Sequence, residues 1–150
     1  MTGTVFVFNG PNLNLLGQRE PEIYGTTTLA DIEHECRGEA ERHGLSLDFR
    51  QTNAEHELVG WLQEVRTGAA GIVLNPAAFS YAAYAVLDAL KLADCPTVEV
   101  HLSNIHRREP WRANSIISQA VTGTISGLGG TGYLLAIRFV AEQQAIRARR

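Results

Sequence analysis

Three short apolar runs, Thr4-Val5-Phe6-Val7-Phe8, Gly71-Ile72-Val73-Leu74 and Pro96-Thr97-Val98-Glu99-Val100, each stop abruptly at polar or turn-forming residues. Runs of this length, rich in β-branched and aromatic residues, read as strands buried on both faces, the mark of a parallel sheet covered by helices. Between them lie segments with helical spacing. Thr28 with Asp31 three residues on forms an N-terminal cap, after which Leu29, Ile32, Cys36 and Ala40 recur on one face up to Gly44. Leu58, Leu62 and Val65 mark a second helix, and Ser80 to Ala93, with Ala83, Val86, Leu87 and Leu90 inward, a third.

Leu45 to Gln51 alternates with period two, as in a strand near a sheet edge, and Ala120 to Ile125 supplies a last strand before a terminal helix from Tyr133 to Ile146. Five strands alternating with helical segments imply an α/β fold, most simply a flavodoxin-like, doubly wound three-layer sandwich. Its five-stranded parallel sheet has the order 2-1-3-4-5. The chain of 150 residues, 45% hydrophobic and without a linker or repeat, is expected to form one domain over 1–150.

In such a sheet a ligand binds beyond the carboxyl ends of the strands where the order reverses. Those ends carry Asn9 to Asn14, Asn75-Pro76, and Glu99 with His101. Glu99 and His101 are two apart on one strand and so share a face, which allows the carboxylate to fix the protonation of the imidazole. The alternative is an ordinary histidine satisfied at a strand end. Asn12 and Asn75 are neutral donors suited to a hydroxyl or a developing oxyanion, and are also common turn residues. Ser103 offers a hydroxyl and nearby amides for a carboxylate, and Arg112 a cation for an anionic or polyhydroxylated ligand.

The segment from Asn9 to Gly25 is far longer than the two to six residues that usually join a strand to its helix, which marks it as functional or disordered. Its Leu, Ile and Tyr content opposes disorder. On it Tyr24 could act as a base if Arg19 stabilised its phenolate; equally, Tyr24 could pack as a lid aromatic and Arg19 remain solvated. Gly127-Leu-Gly-Gly-Thr-Gly132 lacks the Lys-Ser/Thr of a phosphate loop and follows the last strand, so a tight turn is preferred to a nucleotide site.

A net charge of −3 gives no case for nucleic acid or an anionic membrane as partner, and no apolar run approaches spanning length. No secretory leader is recognisable. Two cysteines, Cys36 and Cys95, fit a reducing cytoplasm, and no metal-ligand spacing occurs. His106, Arg107 and Arg108 read as solvated loop residues or subunit contacts.

Asn9-Gly-Pro-Asn-Leu-Asn-Leu-Leu-Gly17 with Arg19-Glu-Pro and Tyr24-Gly25, then Asn75-Pro-Ala-Ala78, then Val98-Glu-Val-His-Leu-Ser-Asn-Ile-His106, strongly resemble type II 3-dehydroquinate dehydratase over almost the whole chain. The resemblance implies a cofactor-free trans elimination of water from 3-dehydroquinate through an enolate, giving 3-dehydroshikimate in the shikimate or quinate pathway. It casts Tyr24 as the base, Arg19 as its activator, Asn12 as the enolate's support, His101 as the acid and Glu99 as its orienting partner. Asn75, Leu102, Ser103, Tyr81 and Arg112 would hold the small-molecule substrate beneath a lid formed by Asn12 to Tyr24. Trimers packed into dodecamers are implied, with Asp88 reaching a neighbour's site. Ser80-Tyr81 stands where the family usually has Thr-His, and Leu87 where it has Arg. These departures leave open a paralogue with an altered substrate, or a weakly active binder of cyclic polyhydroxy acids.

Overall fold

A computed structural model describes residues 3–18 and 20–150, apart from the side chain of Tyr24. Five strands, β1 (Thr4–Asn9), β2 (Ser46–Gln51), β3 (Gly71–Asn75), β4 (Thr97–His101) and β5 (Gly123–Ser126), form one parallel sheet in the order β2-β1-β3-β4-β5. Helices α1 (Pro21–Tyr24), α2 (Leu29–Arg42), α3 (Glu55–Glu64), α4 (Tyr84–Leu90) and α5 (Thr131–Ala148) complete the regular α structure among the described residues.

Side-chain alternation divides the central strands between two cores. Val5, Val7, Val73, Val98 and Val100 pack with Ile32 and Cys36 of α2 and Tyr133, Ile137 and Val140 of α5. Phe8, Ile72 and Leu74 pack on the other face with Leu58 and Leu62 of α3 and Val86 and Leu90 of α4. Each fully buried Val, Leu, Ile or Phe side chain contributes about 1.5–3 kcal/mol relative to its exposed state. The expected fold and strand order are observed.

The capping residues behave as their spacing predicts. Thr28 Oγ1 accepts from Asp31 N at 3.1 Å, and Asp31 Oδ2 accepts from Thr28 N at 3.0 Å, which closes both ends of a capping box.

Some boundaries differ from expectation. The helix expected over Ser80 to Ala93 is broken into a 3-10 turn, Ala77–Ser80, and the shorter α4. Ala77 has φ +48°, and the Ser80 hydroxyl donates to the Ala77 carbonyl at 2.7 Å, so this backbone is committed before α4 begins. The strand expected from Ala120 starts instead at Gly123. Ile116–Ala120 is a 3-10 turn that folds over the sheet and buries Ile117 against the α4 side. The β4 to β5 crossover contains three such turns, Ile105–Arg107, Pro110–Ala113 and Ile116–Ala120. The remaining α-helix is α1, a single turn inside the long loop after β1.

On the α2 and α5 side, Glu39 is buried to 3% exposure beneath three cationic or ionisable partners. Arg42 hydrogen-bonds it, His43 Nε2 lies 3.1 Å from Oε1, and Arg138 Nε lies 3.6 Å away. The Arg42 hydrogen bond, outweighing burial, holds the Glu39 carboxyl below the usual carboxylate range. A depressed folded pKa stabilises the fold above the unfolded value, and that contribution is lost as pH falls through the folded one. Glu39→Gln is therefore expected to cost about 1–2 kcal/mol in a urea melt at pH 7, with the difference from the parent vanishing below the carboxylate range.

No helix among the described residues is long and apolar enough to cross a membrane.

Candidate active site

The carboxyl edge of the sheet opens into a cleft lined by Pro11, Asn12, Leu13, Leu15 and Leu16 after β1, Asn75, Ala77, Ala78 and Tyr81 after β3, and residues from His101 to Arg112 after β4. The loop after β1 enters it under tight constraint. A Cβ on Gly10 would stand 2.3 Å from the Pro76 carbonyl oxygen, so only glycine lets the ends of β1 and β3 close at this point. Asn12 follows with φ +69°, a conformation that asparagine tolerates better than most residues, and its N–H donates to Asn53 Oδ1 at 2.9 Å. Gln51 Nε2 donates to the Gly10 carbonyl at 3.2 Å and to Asn53 Oδ1 at 3.1 Å. The end of β2 thus holds the root of the loop.

On the opposite wall His101 is 6% exposed and Glu99 is fully buried behind it. His101 Nε2 lies 2.5 Å from Glu99 Oε2, and the Ser118 hydroxyl donates to Glu99 Oε1 at 2.7 Å. Burial pushes the Glu99 carboxyl up, but the hydrogen bonds from His101 and Ser118 and the charge of His101 outweigh it and keep the carboxyl below its ordinary range. With Nε2 held by the Glu99 carboxylate, Nδ1 is the ring nitrogen that Glu99 does not engage. Among the described residues no three His, Cys, Asp or Glu side chains gather as a metal-binding group.

The third side is basic and aromatic. Arg108 Nη1 donates to Ser103 Oγ at 3.2 Å, Arg112 lies 4.3 Å above the Trp111 ring and pairs with Glu109, and Tyr81 meets Trp111 edge-on at 4.8 Å between centroids. Two guanidinium groups at the mouth suit a ligand that carries a carboxylate, despite the chain's net negative charge.

Comparison with known proteins gives the family. The family model for dehydroquinase class II matches residues 3–141. This chain belongs to the class II dehydroquinase family. The 3-dehydroquinate dehydratase of Methylobacterium radiotolerans is 53% identical over 98% of this chain and 99% of its own length. The 3-dehydroquinate dehydratase 2 of Pseudomonas aeruginosa is 51% identical over 95% and 97% respectively. Among solved structures, the type II dehydroquinase of Propionibacterium acnes superposes with a TM-score of 0.91 at 44% identity, covering 95% of this chain and 98% of that one.

Within this dehydroquinase fold, Asn12, Asn75, Tyr81, His101, Leu102, Ser103 and Arg112 all line one cleft, with Glu99 directly behind it. Asp88 does not line it; it is exposed on α4, whose neighbouring Leu87 is buried in the core. Arg19 and the Tyr24 side chain lie outside the described residues, and the backbone places Tyr24 at the end of α1. Arg108, expected as a solvated or contact residue, is instead part of the cleft wall. Ser118 and Trp111 were not legible as site residues, because neither sits at a strand end nor at a spacing that marks a site.

Proposed function

We propose that the chain is a 3-dehydroquinate dehydratase that eliminates water through an enolate without a cofactor, acting as a single catalytic domain over 1–150. The observation that carries this reading is the buried Glu99–His101 pair, which presents an acid to a basic cleft whose other wall is the root of the loop that bears Arg19 and Tyr24.

The Tyr24 phenolate, stabilised by Arg19, removes the proton next to the ketone. The C–H electron pair becomes the enolate, whose oxygen is steadied by Asn12 directly or through water. The enolate then re-forms the ketone as the C–O bond to the departing hydroxyl breaks, and His101 supplies the proton that makes it water. Glu99 keeps His101 oriented and protonated for this step. Asn75, the amides at Leu102 and Ser103 and the Ser103 hydroxyl hold the substrate hydroxyl and carboxylate, and Arg112 contacts ring hydroxyls. Tyr81 offers a phenol at the same wall.

Closure of the segment from Asn12 to Tyr24 would exclude water from the enolate. Trimers assembled into a dodecamer fit the exposed Tyr84 and Leu92 that flank Asp88, with Asp88 serving a neighbouring copy. Two free cysteines fit the cytoplasm.

The test is direct: purified protein is mixed with 3-dehydroquinate and the ultraviolet absorbance of the conjugated enone is followed. Steady growth of that band is expected. A folded protein that produces none would remove this assignment and favour a binder or an altered substrate.

A further inference from the structure

Asn75 is held from behind by a hydrogen-bond chain with one possible direction. Ala77 N–H donates to Asn75 Oδ1 at 3.1 Å, Asn75 Nδ2 to the Tyr133 hydroxyl at 2.9 Å, that hydroxyl to Asn9 Oδ1 at 2.7 Å, and Asn9 Nδ2 to the Arg50 carbonyl at 3.0 Å. The chain begins at a backbone N–H, which can only donate, and ends at a backbone carbonyl, which can only accept. Flipping either amide would set donor against donor or acceptor against acceptor. Asn9 and Tyr133 are fully buried and Asn75 is 3% exposed, so no solvent is at hand to repair such a mismatch.

The arrangement is assembled from three elements. Asn9 and Asn75 are register partners at the ends of β1 and β3, facing α5. Tyr133 stands in the first turn of α5, directly after the glycine-rich turn. A Cβ on Gly132 would lie 3.3 Å from Ile125 Cγ2 and 3.4 Å from Val100 Cγ1, tighter than ordinary packing, so this glycine lets the start of the helix sit close against the sheet. That close seat brings the phenol to the two asparagines. Burial pushes the Tyr133 phenol above its ordinary value, so the hydroxyl keeps the proton that it donates.

We infer that Tyr133 is a positioning residue for substrate recognition: by fixing the Asn75 amide in one orientation, it commits the remaining Nδ2 hydrogen of Asn75 as a donor to an oxygen of the ligand in the cleft. The inference rests on the dehydratase reading. It gives the glycine-rich segment a purpose unrelated to phosphate, and it makes Tyr133 act only through Asn75.

The experiment compares the parent with Tyr133→Phe, Asn75→Ala and the double variant, measuring kcat and KM for 3-dehydroquinate. Tyr133→Phe keeps the ring and removes the oxygen; KM is expected to rise about tenfold with kcat changed less than about threefold. The double variant is expected to match Asn75→Ala alone, because the phenol has no route to the ligand except the amide. An unchanged KM with only a lower melting temperature, or effects that simply add, would overturn the inference. If Tyr133→Phe does not fold, Tyr133→Phe with Asn9→Leu leaves fewer buried groups unpaired and must show the same rise in KM, or the inference fails. Parental turnover with a normal KM in these variants refutes the inference alone; absence of parental turnover refutes the dehydratase reading and takes this inference with it.

Discussion

Tyr24→Phe is expected to lower kcat by ~10³-fold or more while the dissociation constant for substrate changes by less than about threefold. The substitution removes one oxygen and keeps the ring, so shape and most contact area survive, while no group of comparable basicity is assigned to the same proton. A phenol with a pKa near 10 is a poor base at neutral pH, which is why the role requires Arg19 as a counter-charge. Rapid-quench measurement of chemistry, with equilibrium binding in parallel, separates the two quantities. A kcat within tenfold of the parent would assign the proton abstraction to another residue.

His101→Ala is expected to cost ~10²–10⁴-fold in kcat, the usual worth of a positioned general acid. The loss comes from two sources. The departing hydroxyl must leave as hydroxide or wait for solvent, and Glu99 is left buried without the His101 hydrogen bond, with the Ser118 hydroxyl still donating to it. A buried carboxylate that has lost its imidazole partner takes up a proton more readily, because burial now acts with less opposition. Stability of this variant is accordingly expected to fall most at neutral pH and to recover relative to the parent as the medium becomes acidic enough to neutralise Glu99. Chemical denaturation at pH 7 and pH 5 checks that sign.

The arrangement of the sheet was legible because its signals are local. Continuous apolar strands, a Thr28–Asp31 cap and period-two alternation at Leu45 to Gln51 each depend on a few neighbouring residues, and right-handed crossovers turn that order into one topology. The cleft was legible for the same reason: strands that point the same way place Asn12, Asn75 and His101 at one edge, and two-residue spacing puts Glu99 beside His101. What escaped lacks a period or spans a long distance. The turns between β4 and β5 are 3-10 segments of three to five residues, too short for a helical pattern to register. Tyr133 is 58 residues from Asn75, and as a helix residue after a glycine-rich turn it carried no sign of the hydrogen bond that joins them. Ser118 was absorbed into a loop ahead of an expected strand, although its hydroxyl secures the carboxylate on which His101 depends.

The central claim is that base and acid are separate groups acting in sequence through an enolate. It is tested most directly by incubating His101→Ala with 3-dehydroquinate in deuterium oxide and following both the recovered substrate and the enone. With the acid removed and the base intact, deuterium is expected to enter the position next to the ketone of recovered substrate while the enone forms at no more than about a hundredth of the parental rate. Enone formation at the parental rate, or slow elimination with no deuterium in the recovered substrate, would contradict it.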